Sequence, residues 1–174
     1  MTVKVRWQRV AAQSPRQLKR VQHQTGCQLL TTLAQTEVAY HRLGQPYLPR
    51  YPQLGVSVSH SATLVVVVLA DQAVGVDVEH QRSVDWTRYR RAFTAVEWAY
   101  LVQQADDQRA DLAWRLWTAK EAVLKLQGRG LTRSPRRVQV TLPELTWAVD
   151  GQRRYQLSRL ELPGHYVGTL AREV

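Results

Sequence analysis

Residues 117–131 read WTAKEAVLKLQGRGL. This stretch is the most informative one for the fold of the second half of the chain. The apolar spacing predicts a helix over about residues 111–127 that stops at Gly128. Glu121 and Lys125 lie four residues apart, so they share one face of this helix. A surface ion pair would show the same spacing, so these two residues alone do not define a site.

Upstream, residues 74–80 read VGVDVEH and predict a strand. Asp77 and Glu79 are two positions apart, so both carboxylates leave the same face of that strand. Two neighbouring carboxylates repel unless a cation or water separates them, and Mg²⁺ prefers such oxygen ligands together with water and substrate phosphate. Two unrelated acids on a solvated strand are the alternative. Together with the helix, the pair favours a magnesium-assisted reaction on a phosphate ester.

Charge and cysteine content narrow the class of protein. The chain has 24 Lys+Arg against 14 Asp+Glu, a net charge of +10. This excess favours an anionic partner, such as nucleic acid, a membrane, a phosphorylated cofactor or an acidic protein, although a basic surface without a specific partner explains it equally well. The single cysteine, Cys27, excludes an intramolecular disulfide and a multi-cysteine zinc site. With no hydrophobic leader or long apolar run, we expect a cytoplasmic protein.

Strand and helix signals alternate along the chain and predict an α+β fold of two structurally related halves, each a small sheet packed with helices. Residues 1–71 form the expected N-terminal half and residues 72–174 the C-terminal half, in a monomeric pseudo-dimer. Ser14-Pro15 predicts the start of a helical segment in two pieces, divided at Gly26 and ending near residue 40. Strands are expected at 2–10, 56–60, 63–70, 73–80 and three times after residue 137, with further helical segments at 86–91 and from Thr94.

Two more positions are candidates with ordinary explanations. Ser59, His60 and Ser61 form a candidate phosphate-binding corner, although a lone histidine is more often a structural hydrogen-bonding group. Glu97 follows Thr94 by three residues, which is the spacing of a helix capping box.

The chain resembles the 4′-phosphopantetheinyl transferases of the surfactin-synthetase type, the two-half members of the holo-acyl-carrier-protein synthase superfamily. The most specific matching block is W-x-x-K-E-A-x-x-K-x-x-G-x-G-L at residues 117–131. The other blocks, in order, are G-x-P at Gly44–Pro46, S-H-S at Ser59–Ser61, V-G-V-D-V-E at Val74–Glu79 and F-x-x-x-E-W at Phe93–Trp98.

The resemblance implies a reaction in which the phosphopantetheine group of coenzyme A is moved to a serine of an apo acyl or peptidyl carrier protein, releasing 3′,5′-ADP. It implies that Asp77, Glu79 and Glu121 hold Mg²⁺. Glu121, or a water on the metal beside it, would accept the serine proton. Lys120 would support the site electrostatically. The coenzyme A contacts implied are Gly44, Gln45, Pro46, Ser59, His60 and Lys125. Of these, Lys125, His60 and Ser59 would contact the phosphates, and Lys125 would also be catalytic by offsetting the charge that develops on the leaving group.

Two departures from the family pattern concern the nucleotide side. Gln45 stands where the family commonly has lysine in G-x-P, and Cys27 stands where an arginine is expected before a Leu-Leu pair. Both remove a positive charge, so a catalytically weak relative that binds carrier proteins is the alternative function. We expect an acidic carrier protein as partner, because it complements the net charge, and we expect neither nucleic acid nor a membrane.

Overall fold

Strands and helices alternate along residues 2–128 and 133–174, which the computed structural model describes. The strands are β1 (Val3–Arg9), β2 (Ala39–Tyr40), β3 (Pro46–Tyr47), β4 (Gly55–Ser61), β5 (Leu64–Ala70), β6 (Val74–His80), β7 (Gln139–Val140), β8 (Trp147–Asp150), β9 (Arg153–Arg159) and β10 (Tyr166–Glu173). The α-helices are α1 (Pro15–Ala34), α2 (Ala95–Val102) and α3 (Asp106–Leu126), and 3₁₀ helices span Trp86–Ala92 and Pro135–Arg137.

These strands form two main sheets. The first has the order β1-β5-β4, the second has the order β6-β10-β9-β8-β7, and β2 pairs with β3 in a small separate hairpin. Helix α1 packs on β5 of the first sheet, and α3 packs on β6 and β10 of the second. The α+β class is therefore confirmed. That the two halves are related, and that they divide at residue 72, stay predictions.

The first sheet is built around β5, whose unbroken apolar sequence LVVVVLA places it between two other strands, as expected for a buried strand. Ser14 caps α1 by accepting a hydrogen bond from the Gln17 amide. The expected division at Gly26 is wrong, because α1 runs through it. At Gly26 a Cβ would lie 3.1 Å from a Val58 methyl, so glycine lets the helix approach the sheet closely. The helix ends at Ala34, earlier than expected.

The second sheet is covered by α3, which begins at Asp106, five residues before its expected start. Asp106 and Asp107 occupy its first turn, where the helix dipole favours acids. Helix and sheet approach closely at Gly75, where a Cβ would overlap the carbonyl oxygen of Ala122. This contact brings the middle of α3 against β6. Within the described residues, no helix is long and apolar enough to cross a membrane.

The two sheets meet where β4 lies beside β6, and serine side chains join them. Each of three serines on β4 accepts a hydrogen bond from a backbone amide of β6, and each amide lies 19 residues further along the chain. A constant offset means that the two strands run in the same direction. The bonds are Val76 to Ser57 at 3.0 Å, Val78 to Ser59 at 3.1 Å and His80 to Ser61 at 3.1 Å.

Candidate active site

A cluster of charged side chains lies where β4, β6 and α3 meet. Strand β6 contributes Asp77 and Glu79 from one face, as their spacing predicts. Helix α3 contributes Glu121 and Lys125 from successive turns, and β4 contributes Ser59. We call these five residues the carboxylate cluster. The sequence reasoning had named all five, and the structure brings them together.

Lys125, Asp77 and Ser59 form a closed triangle of contacts. The Lys125 ammonium lies 2.8 Å from Asp77 Oδ1 and donates to Ser59 Oγ at 2.8 Å. Ser59 in turn donates to Asp77 Oδ1 at 3.0 Å. Because Ser59 also accepts from Val78, its hydroxyl has used its donor and both acceptor positions within the protein. A phosphate contact from Ser59 would therefore require it to release Asp77.

Glu79 is held by two neighbours, Ser61 and Trp117, whose contact with an acid was not predicted from the sequence. Ser61 donates to Glu79 Oε2 at 2.6 Å, and the Trp117 side chain also donates to this carboxylate. Burial raises the pKa of Glu79, and the nearby Asp77 raises it further, while the Ser61 bond lowers it; the net direction is upward. The signal for Ser61 was present in the alternation of serines at 57, 59 and 61, which places all three on one face of a strand.

Glu121 is the least compensated acid of the cluster. Its side chain is buried, and in residues 2–128 and 133–174 no hydrogen-bond donor reaches its Oε1. The pKa of Glu121 is raised to about 7; burial is the largest cause, Asp77 and Glu79 also raise it, and Lys125 lowers it. A carboxyl group with a pKa near neutrality can exchange protons under physiological conditions.

The carboxylate cluster fits a hard divalent cation by its donor set. Asp77 Oδ2 and Glu121 Oε1 are buried oxygens without hydrogen-bond partners among the described residues. Unpaired carboxylate oxygens are costly to bury, and Mg²⁺ is the kind of ion that binds them. As they stand, no three acidic, histidine or cysteine groups of the described residues form a ready-made metal site, and the Lys125 ammonium is the cation beside Asp77.

Lys120 is not brought to the carboxylate cluster. Its ammonium lies 2.8 Å from Glu97 Oε2 and donates to the Val138 carbonyl, and its side chain is completely buried. The pKa of Lys120 is lowered because the effect of burial exceeds the opposing effect of the Glu97 charge. Glu97 also completes the capping box with Thr94 and accepts from the Val140 amide, so it does more than cap its helix.

The nucleotide-side candidates Gly44, Gln45 and Pro46 lie in and beside the β2–β3 hairpin, next to the C-terminal end of α3. Gln45 donates to the Lys125 carbonyl at 3.3 Å. Gly128 leaves room for this contact, because a Cβ there would collide with Gln45 Oε1. Gly44 turns the hairpin with a φ of 84°, and Pro46 is buried. The end of the 117–131 motif, residues 129–131, lies outside the described residues.

His60 and Cys27 occupy the α1 side of the first sheet. His60 shares the alternation of Val58, which faces α1, and it lies close enough to Lys125 to feel its charge. Burial and that charge lower the pKa of His60, so it is neutral near pH 7. The Cys27 sulfur lies 2.9 Å from the Tyr40 hydroxyl. A thiol–phenol pair therefore occupies the position where the family resemblance implies an arginine.

Sequence comparison identifies the class of protein to which this arrangement belongs. Residues 73–170 match the family model of the 4′-phosphopantetheinyl transferase superfamily. This range covers more than half of the 174 residues and includes both the acid strand β6 and helix α3. The chain belongs to the 4′-phosphopantetheinyl transferase superfamily, which confirms the family expected from the motifs.

Individual relatives carry the same name. The chain is 29% identical over 89 residues to the 4′-phosphopantetheinyl transferase Sfp of Bacillus subtilis strain 168, covering 51% of this chain and 40% of that protein. It is 31% identical over 122 residues to the transferase psf-1 of Bacillus pumilus, covering 70% and 48%. It is 31% identical over 122 residues to the transferase AcpT of Salmonella typhimurium, covering 67% and 64%. The chain thus spans about half the length of the relatives it matches.

Proposed function

We propose that this protein transfers the 4′-phosphopantetheine group of coenzyme A to a serine of an apo acyl or peptidyl carrier protein, with Mg²⁺ as cofactor and 3′,5′-ADP as product. The observation that carries the proposal is the carboxylate cluster, in which three acids face one lysine inside the range matched by the superfamily. The names of the relatives support the same transfer. We further propose that it acts in the cytoplasm as a monomer.

Mg²⁺ would be held by Asp77, Glu79 and Glu121. When bound, it supplies positive charge that neutralises the pyrophosphate of coenzyme A. The two unpartnered oxygens, Asp77 Oδ2 and Glu121 Oε1, support this assignment, because both are buried and each can accept a cation.

The transfer needs a proton acceptor and an electrostatic partner for the leaving group. The carrier serine oxygen forms a bond to the phosphorus that bears pantetheine, and the bond from that phosphorus to the bridging oxygen breaks, so the electron pair leaves on 3′,5′-ADP. Glu121, or a water beside it, takes the serine proton. Lys125 offsets the negative charge on the departing phosphate. His60, neutral near pH 7, can donate a hydrogen bond to the same group.

An acidic carrier protein would find a complementary surface beside the site. A groove of about 780 Å³ runs between the 3₁₀ helix Trp86–Ala92 and α2. Its floor is apolar, and Tyr89 next to it packs against Trp117, which contacts Glu79. Basic side chains at the rim favour an acidic partner with apolar anchors. The groove is lined in part by Arg88, Arg90, Arg91, Arg136, Phe93 and Trp98.

The direct test is to incubate the protein with coenzyme A, Mg²⁺ and an apo carrier protein, and to weigh the carrier by mass spectrometry. We expect the carrier to gain one phosphopantetheine. Glu121→Gln should abolish the gain, whereas Glu144→Gln, at an exposed glutamate of the same half, should preserve it. Unmodified carrier with several unrelated apo carriers would refute the proposal.

A catalytically weak carrier-binding protein is the second candidate, because the positions of Cys27 and Gln45 carry no positive charge and both side chains already have protein partners. Carrier binding without a mass change would favour it. Coenzyme A binding measured by calorimetry separates the two further. We expect Gln45→Lys to tighten coenzyme A binding, because it adds a cation near the end of α3; unchanged affinity would contradict a charge deficit at this position.

A further inference from the structure

Strand β4 does more than line the cluster, because its serines connect the two sheets through side chains instead of a backbone ladder. Near the start of β4 the two backbones approach closely: a Cβ at Gly55 would overlap the Gln72 carbonyl oxygen and lie 2.9 Å from the Val74 nitrogen. Further along, the hydroxyls of Ser57, Ser59 and Ser61 take the amide protons of β6. The strands are therefore held in register by three equivalent contacts at strand spacing.

Each of these hydroxyls can also donate one hydrogen bond, and two of them donate it to acids of the carboxylate cluster. Ser59 donates to Asp77, and Ser61 donates to Glu79; in both cases the acid lies 18 positions after the serine. The two serines therefore make the same pair of contacts: each accepts from one backbone amide of β6 and donates to the side chain of the β6 residue that precedes that amide. Ser57 takes the equivalent amide bond, but among the described residues no carboxylate accepts from it.

We propose that Ser61 is a positioning residue that aims the Glu79 carboxylate at the cation site. A glutamate side chain can rotate about several bonds, and a hydroxyl bond of 2.6 Å to Oε2 restricts that freedom. Partners of this kind, which orient a ligand without touching the metal, typically change metal affinity by about 10- to 100-fold. The inference rests on the proposed function only in assigning Glu79 to the cation.

The chain offers a matched control. Ser57→Ala and Ser61→Ala each remove one serine bond to a β6 amide, but only Ser61→Ala also removes a bond to an acid. The Ser57 contact is the more buried of the two, so its loss should disturb the join between the sheets at least as much. A difference in cation binding between the two variants therefore reports on Glu79 and not on the join.

The experiment measures Mn²⁺ binding to the full chain by electron paramagnetic resonance, without coenzyme A or carrier. We expect Ser61→Ala to weaken Mn²⁺ binding by about tenfold, Ser57→Ala to leave it unchanged and Ser61→Thr, which keeps the hydroxyl, to restore it. Circular dichroism confirms that each variant is folded. Equal weakening in both alanine variants, no weakening in Ser61→Ala, or no Mn²⁺ binding by the unmodified chain would overturn the inference.

The carrier-modification assay keeps this inference separate from the proposed function. A chain that binds Mn²⁺ in the expected order of variants but modifies no carrier would support the role of Ser61 and refute the transferase. A chain that modifies carrier while Ser57→Ala and Ser61→Ala bind Mn²⁺ equally would refute the role of Ser61 alone.

Discussion

Replacing Glu121 by glutamine should remove a pH-dependent cost from the metal-free fold. The pKa of Glu121 rises from 4.5 to about 7 in the folded protein. Each unit corresponds to about 1.4 kcal/mol, so an ionised Glu121 destabilises the fold by about 3 kcal/mol relative to the unfolded chain. Because the side chain is buried, solvent screening does not reduce this figure much.

The sign follows from proton binding. Between pH 4.5 and about 7 the folded protein keeps the Glu121 proton while the unfolded chain has lost it, so stability falls as pH rises through this window. Glutamine cannot ionise, so the Glu121→Gln variant lacks this loss. The measurement is urea unfolding of both proteins in EDTA at pH 5 and pH 8. Between pH 5 and pH 8 we expect the unmodified protein to lose most of the 3 kcal/mol of unfolding free energy relative to the variant. In thermal unfolding, a loss of this size corresponds to about 6 to 12 °C in Tm.

Mg²⁺ supplies the control for this prediction. At pH 8 it should restore stability to the unmodified protein, because ligands that bind only the folded state stabilise it, and should do little for Glu121→Gln. A stability difference between the two proteins that is the same at pH 5 and pH 8 would show that Glu121 is ionised without cost, and the explanation of its environment would be wrong.

Other substitutions test the surrounding structure. Lys120→Met should destabilise the protein by about 3–5 kcal/mol in urea unfolding, because it leaves the Glu97 charge buried and unpaired; the double variant with Glu97→Gln should recover part of this, and additive losses would contradict the pairing. Gly75→Ala should lower Tm by separating α3 from β6, and an unchanged Tm would mean that the close approach is not needed. Asp150→Asn should weaken two arginine contacts and cost about 1–3 kcal/mol, whereas loss of stability that persists unchanged in high salt would exclude a charge effect.

Local patterns predicted most of the elements that carry the site. The Asp77–Glu79 spacing and the Glu121–Lys125 spacing were sufficient to place each pair on one face, because strand and helix periods are local properties of the backbone. The capping box at Thr94 was equally readable. The rule that glycine interrupts a helix failed at Gly26. Helix α1 tolerates this glycine because its missing side chain lets the helix pack closely on the sheet.

The neighbours of the acids were harder to predict. Ser61 reaches Glu79 only because β4 lies beside β6, and Trp117 reaches it from α3. Lys120 immediately precedes Glu121, yet it points to Glu97 on the other side of α3. Adjacent helix positions point about 100° apart, so the spacing alone showed that they diverge but not which partner each would meet.

Residue identity and short-range periodicity were sufficient to predict the superfamily, the α+β class and the two pairs of charged residues. Three features depend on folding: the pairs meet in one partly buried cluster, Ser59 and Ser61 hold two of its acids, and Lys120 lies apart from it. No local pattern encodes these features, because packing brings β4, β6 and α3 together through side-chain hydrogen bonds between residues 18 to 66 positions apart.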